Sequence, residues 1–190
     1  MSAYRKLTGI AISLLLLVIA SPAWGLDSLF VDIENANVIR NPDNNNDSRL
    51  ILRFDMPELL DTNKHVTHAE LRFRIDPNRQ IDHPPRFILY PITLDWDIQD
   101  ADWDSPWQEA GGDYVDSLSA MVHLDLDEIT DMTIQISHLV QSFIRNDLPN
   151  NGFIVCQQGP ETAPFDLVAI DDDNNLAQLA IYYSTLQPDE

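Results

Sequence analysis

The sequence predicts an all-β fold, an antiparallel β-sandwich or barrel with one short helix, and three observations predict it. Apolar and polar residues alternate at period two in run after run, turn-forming clusters separate the runs, and a single segment shows helical spacing instead. Strict alternation is the pattern of a strand with one face on a core and the other in water. Short strands at such spacing, punctuated by polar turns, build sandwiches and barrels.

The runs follow one another along the chain. The first is Leu29 to Ile33. Next, Leu50, Leu52 and Phe54 alternate with Arg49, Arg53 and Asp55, with Ile51 interrupting the polar side. Residues 69–76 give the cleanest case, Ala69, Leu71, Phe73 and Ile75 pointing one way and Glu70, Arg72, Arg74 and Asp76 the other. Phe87 to Leu94, then Val122, Leu124 and Leu126, then Ile134 and Ile136, continue the series. Phe153 to Gln157, Leu167 to Ile170, and the closing Leu179, Ile181 and Tyr183 complete it. Between them lie Asn41-Pro-Asp-Asn-Asn-Asn-Asp47, His83-Pro-Pro85, Gly111-Gly112, Pro149-Asn-Asn-Gly152 and Asp171-Asp-Asp-Asn-Asn175, residues that turns favour. Leu139, Val140 and Phe143 recur at helical spacing behind Ser137, which predicts a helix from about His138 to Arg145 capped by that serine. The polar stretch Asp95 to Asp116 reads as a long loop.

The N-terminus reads as a cleavable signal peptide spanning residues 1–25. Arg5 and Lys6 precede the apolar run Leu7 to Ala20, Pro22 breaks it, and Ala23-Trp-Gly25 supplies small residues at a cleavage position. That run is shorter than the ~20 residues needed to cross a bilayer. Residues 26–190 are then a single exported domain, secreted or periplasmic, with no membrane insertion after cleavage. All 31 acidic residues follow Gly25, while two of the 11 basic ones precede it, so the exported part carries a net charge of −22. Such a charge argues against nucleic acid or an anionic membrane surface as partner. The single cysteine, Cys156, excludes an internal disulfide, and its apolar setting in Gly152-Phe-Ile-Val-Cys156 reads as a buried structural thiol.

Several segments taken together resemble the DNRLRE domain family. Leu50-Ile-Leu-Arg-Phe-Asp-Met-Pro57 followed by Val66-Thr-His-Ala-Glu-Leu-Arg-Phe73 is similar to the opening of that domain. Trp96-Asp97 and Asp102-Trp-Asp-Ser-Pro106 resemble its paired-tryptophan loop. Ile129-Thr-Asp-Met132, Leu139-Val-Gln-Ser-Phe143 and Asn150-Asn-Gly-Phe-Ile-Val155 resemble its later segment, and Leu179-Ala-Ile-Tyr-Tyr-Ser184 its last strand. The chain departs from the family in three places. Phe143 stands where the family has a helix tryptophan, the Asn/Asp run replaces a Gly-rich loop, and a basic-proline pair before the last strand is missing. The resemblance implies a jelly-roll β-sandwich of the carbohydrate-binding-module kind, in secreted or surface proteins, without catalytic residues.

Two residue sets are candidates for binding. Trp96, Trp103, Trp107 and Tyr114 sit among acids in the long loop, and aromatic rings beside carboxylates and amides suit stacking and hydrogen bonding of sugars. The competing reading has Trp96 and Trp103 plugging one end of the sandwich, which leaves Trp107 and Tyr114 as the better candidates for exposed stacking. Asp43, Asn45 and Asp47 alternate as oxygen ligands suited to a structural Ca²⁺, and the competing reading is a solvated turn. His65 and His68 diverge at the start of a strand, which argues against zinc. No G-x-S-x-G elbow, H-E-x-x-H pair or Gly-rich phosphate loop is present, and the chain has only six glycines from which such a loop could be built. The expectation is an exported, non-catalytic carbohydrate-binding module whose partner is a polysaccharide or a cell-surface protein, using the Trp-rich loop or a sheet face. The alternative is a structural or assembly protein of the envelope or matrix without glycan binding.

Overall fold

The computed structural model describes residues 26–33, 35–44, 46–57, 60–77, 86–123, 130–159 and 162–185. The expected signal peptide, Asn45, His83, Leu124 and Leu126 lie outside them. Among the described residues ten strands and one helix run in the order β1 (Asp27–Ile33), β2 (Asn35–Arg40), β3 (Ser48–Arg53), β4 (Lys64–Pro77), β5 (Arg86–Pro91), β6 (Ala120–His123), β7 (Thr130–Gln135), α1 (Ser137–Ile144), β8 (Phe153–Gln158), β9 (Phe165–Val168) and β10 (Ala177–Thr185). The strands form two antiparallel sheets. Sheet A has the order β1-β10-β4-β7, with β9 pairing on β4, and sheet B the order β2-β3-β8-β5-β6. With β2 and β9 set aside as additions, the remaining strands counted in chain order lie as 1-8-3-6 and 2-7-4-5, the interleaved pairing of a jelly roll.

The alternation seen in the sequence sets the two faces of each sheet. Leu29, Leu71, Phe73, Ile75, Ile134, Leu179 and Ile181 turn inward from sheet A and meet Leu50, Leu52, Phe87, Leu89, Phe153 and Val155 from sheet B in one continuous core. Each such side chain contributes about 1.5–3 kcal/mol by leaving water. Strand β2 is absent from the sequence expectation because Asn35 and Asn37 mask the inward Ala36 and Val38, which pack partly buried against this core.

The helix differs from its expectation in one respect. It covers Ser137–Ile144, but Ser137 is its first residue and no side chain caps it. The Ser137 hydroxyl instead accepts the Ala69 N–H at 2.8 Å, and the Ile136 N–H donates to the Ala69 carbonyl at 2.8 Å. Further along, Gln141 Oε1 accepts from the Val66 N–H at 2.8 Å, and its Nε2 donates to the Lys64 carbonyl at 3.3 Å. The serine is drawn off the helix end because β4 continues past β7 and its backbone groups need partners. Helix α1 thus lies where β7 would otherwise extend, beside a bulge in β4 where the pairing with β10 shifts. No helix among the described residues is long and apolar enough to cross a membrane.

Candidate functional site

The long loop closes one face of the sandwich. Ile39, Ile51 and Ile154 project outward from sheet B and are buried under Ile92, Trp96, Ala101, Trp103 and Trp107, forming a second apolar cluster. Trp96 Nε1 donates to the Asn151 carbonyl at 2.7 Å and Trp107 Nε1 to the Asp102 carbonyl at 2.8 Å, so both indoles have partners within the fold. Two arginines of β3 hold the loop from below. Arg49 Nη1 donates to the Gly111 carbonyl at 2.7 Å, while Arg53 Nη1 donates to Asp95 at 2.7 Å and to the Trp96 carbonyl at 3.0 Å.

This arrangement corrects the expectation for Trp107, which was placed among the exposed stacking residues. Trp96, Trp103 and Trp107 are each only 6–7% exposed, and none offers an open ring face to a sugar. The cause is the outer face of sheet B, which is apolar at Ile39, Ile51 and Ile154 and needs a cover. Tyr114 is half-buried, its ring stacked on Tyr90 at 4.6 Å between centroids, and burial pushes both hydroxyls above their ordinary pKa. Cys156 lies half-buried near this pair, its thiol pushed up by burial to about 11, which leaves no thiolate for chemistry at neutral pH.

The Asn/Asp turn between β2 and β3 is organised by its own hydrogen bonds. Asn41 Oδ1 accepts the N–H of Asp43 at 2.9 Å and of Asn44 at 3.2 Å, and Asn44 Oδ1 accepts that of Asn46 at 3.2 Å. Asp47 lies 3.9 Å from Arg49 Nε, and Asn45, the third expected ligand, falls outside the described residues. Among the described residues no group of three His, Cys, Asp or Glu side chains is disposed to hold a metal ion. The Asp171 cluster is likewise a turn, its carboxylate accepting the N–H groups of Asp173 and Asn175 and the Asn175 amide. Those bonds lower the Asp171 pKa below its ordinary value.

Sheet A presents a different outer surface. Its register aligns side chains in rows across the strands: Ser28, Tyr182 and His68; then Phe30, Ala180, Glu70 and Gln135; then Asp32, Gln178, Arg72 and Thr133; then Arg74 and Asp131. Phe30 and Tyr182 are half-buried and meet edge to face at 6.3 Å, and the His68 ring lies 5.7 Å from Tyr182. Gln135 Nε2 lies 3.1 Å from His68 Nδ1, and His68 Nε2 lies 3.3 Å from Glu70 Oε2. Glu70 also accepts from Arg72. Burial alone pushes the Glu70 carboxyl up, but the hydrogen bonds and charges of His68 and Arg72 outweigh it and hold the group below its ordinary pKa.

The last two of these rows line a depression of about 420 Å³ whose polar walls include Arg72, Arg74, Asp131, Thr133, Asp171 and Gln178. Arg74 grips Asp131 with Nε at 2.6 Å and Nη2 at 3.3 Å, and that bond lowers the Asp131 pKa. Of this surface the sequence named Glu70, Arg72 and Arg74 only as the wet side of a strand. The one available signal was Tyr182, an aromatic on the outward side of a strand whose inward side already carries Tyr183. No protein-family model matches the chain, and no curated protein matches it. The likeness to the DNRLRE family rests on the sequence motifs alone.

Proposed function

We propose that the chain is an exported, non-catalytic glycan-binding module whose platform is the outer face of sheet A. The observation that carries this reading is the half-buried pair Phe30 and Tyr182 on the outer face of sheet A, bordered by His68, Glu70, Arg72, Gln135 and Gln178. A pyranose offers C–H groups on its flat side and hydroxyls around its rim. Aromatic rings take the first, while amides, carboxylates and guanidinium groups take the second. The tryptophan loop supports the reading indirectly, because it packs on the outer face of sheet B and not on that of sheet A.

Affinity electrophoresis through gels containing polysaccharides tests the proposal. Tyr182→Ala is expected to abolish retardation, while Trp107→Phe, which alters the buried cluster, is expected to leave it in place wherever the variant folds. Retardation lost in Trp107→Phe and kept in Tyr182→Ala would move the site to the loop. Absence of retardation by every polysaccharide would overturn the reading in favour of a structural or assembly protein of the envelope or matrix.

A further inference from the structure

Resting on the platform reading above, we infer that the ligand of this face is an uncharged polysaccharide segment lying along β10 and β4. The charges on the face decide the first half. Arg72 and Arg74 are its two guanidinium groups, and each is already committed to a carboxylate, Arg72 to Glu70 and Arg74 to Asp131. Arg74 is held a second time, donating through Nη1 to the Ala169 carbonyl at 3.2 Å. Two further carboxylates border the same surface. Asp32 accepts from Gln178 Nε2 at 2.9 Å, and Asp171 stands at the rim of the depression. Carboxylates therefore outnumber guanidinium groups here.

A uronate or sulfate would need one of those arginines. Taking it would strand Glu70 or Asp131 beside the incoming anion, within a chain of net charge −20. A neutral sugar meets no such penalty. Each hydroxyl both donates and accepts, so it can bond a carboxylate oxygen and a guanidinium N–H while the existing pairs stay intact.

The positions of the groups decide the second half. The rings lie over the His68 and Glu70 rows and the depression over the Arg72 and Arg74 rows, so together they cover β4 from His68 to Arg74. At strand rise that whole span is roughly 20 Å, the reach of several sugar units in a row. The ring end would hold one unit by its flat side. Gln178, Thr133 and the paired arginines would bond the hydroxyls of units further along.

Isothermal titration of the exported chain at low salt with size-matched oligosaccharides tests this. The neutral probes are cello- and manno-oligosaccharides from dimer to hexamer, and the anionic probes are oligogalacturonates and oligoalginates. A neutral series is expected to bind, with hexamer tighter than dimer and no heat from the anionic series. Tyr182→Ala and Gln178→Ala are each expected to weaken hexamer binding by about tenfold or more, the scale of one aromatic or hydrogen-bond contact. Anionic binding that Tyr182→Ala removes would overturn the uncharged-ligand inference and leave the platform standing. Equal affinity for dimer and hexamer would overturn the orientation along the strands. Binding indifferent to Tyr182→Ala, or none from either series, would overturn the platform and the inference with it.

Discussion

The guanidinium carbon of Arg49 lies 4.7 Å from the centre of the Trp103 ring, and the same side chain bonds the Gly111 carbonyl. One residue of β3 thus fastens both the middle of the long loop and its glycine turn to sheet B. A desolvated cation–π contact and a charge-assisted hydrogen bond are each worth about 2 kcal/mol. Arg49→Ala is therefore expected to lower unfolding free energy by about 2–4 kcal/mol, measured by urea denaturation. Tryptophan emission should shift to the red in the native state, because water then reaches a cluster that is dry in the parent. An unchanged emission maximum would show that the loop stays seated without this contact.

Gly152 precedes β8 with φ of +86°, a backbone conformation that side chains rarely adopt. A Cβ there would run into the Leu52 carbonyl of the neighbouring strand, while the Gly152 carbonyl accepts the Ile92 N–H at 3.0 Å. Neither neighbour can move without breaking sheet B. Gly152→Ala is expected to cost more than about 3 kcal/mol, combining a forbidden conformation with a backbone clash. The readout is the yield of soluble protein and its unfolding temperature.

Glu70 and Asp131 both titrate below their ordinary values in the folded chain, and the sign of their effect follows. A carboxylate with depressed folded pKa adds stability at pH above its unfolded value, and the addition disappears as pH falls through the folded value. Glu70→Gln is expected to lower stability at neutral pH and to flatten its loss on acidification below about pH 4.5, the ordinary value for this group. Parallel melting curves of parent and variant between neutral and acid pH measure it. Parallel curves with a constant offset would show that Glu70 does not drive the acid transition.

The turn Asn41–Asp47 closes through hydrogen bonds of its own side chains. A ligand that binds only the folded chain must raise the unfolding temperature. Equal unfolding temperatures in chelator and in excess Ca²⁺ are the expected result for a turn already held in this way. A rise with Ca²⁺ that Asp43→Asn removes would instead assign a cation to the turn.

How much of this was legible depended on how many faces of each element meet water. Strand β4 was plain in the sequence because Leu71, Phe73 and Ile75 are buried while Arg72 and Arg74 are wet. Sheet B is apolar on both faces under the loop, so its strands lose alternation, and Ile51 was the visible trace of that second cluster. Tryptophans among aspartates read equally well as a sugar site or as a plug, since composition does not reveal which way a ring turns. The face of sheet A was hidden for a different reason. Phe30, His68, Gln135 and Tyr182 belong to four strands scattered along the chain, and only the jelly-roll order brings them to one surface. Register is a property of pairing, which local patterns do not carry.

Gln141 has a consequence for how these molecules behave side by side. A primary amide offers one acceptor and one donor, as a peptide unit does, and here it completes the backbone of β4 at Val66 and Lys64. A strand from a neighbouring copy finds nothing to pair with along that stretch. The opposite border of sheet A is β1, where Asp27 and Asp32 put negative charge on the rim and repel an identical edge. Pairing with a neighbouring copy is thus opposed by an amide along this stretch of β4 and by charge along β1.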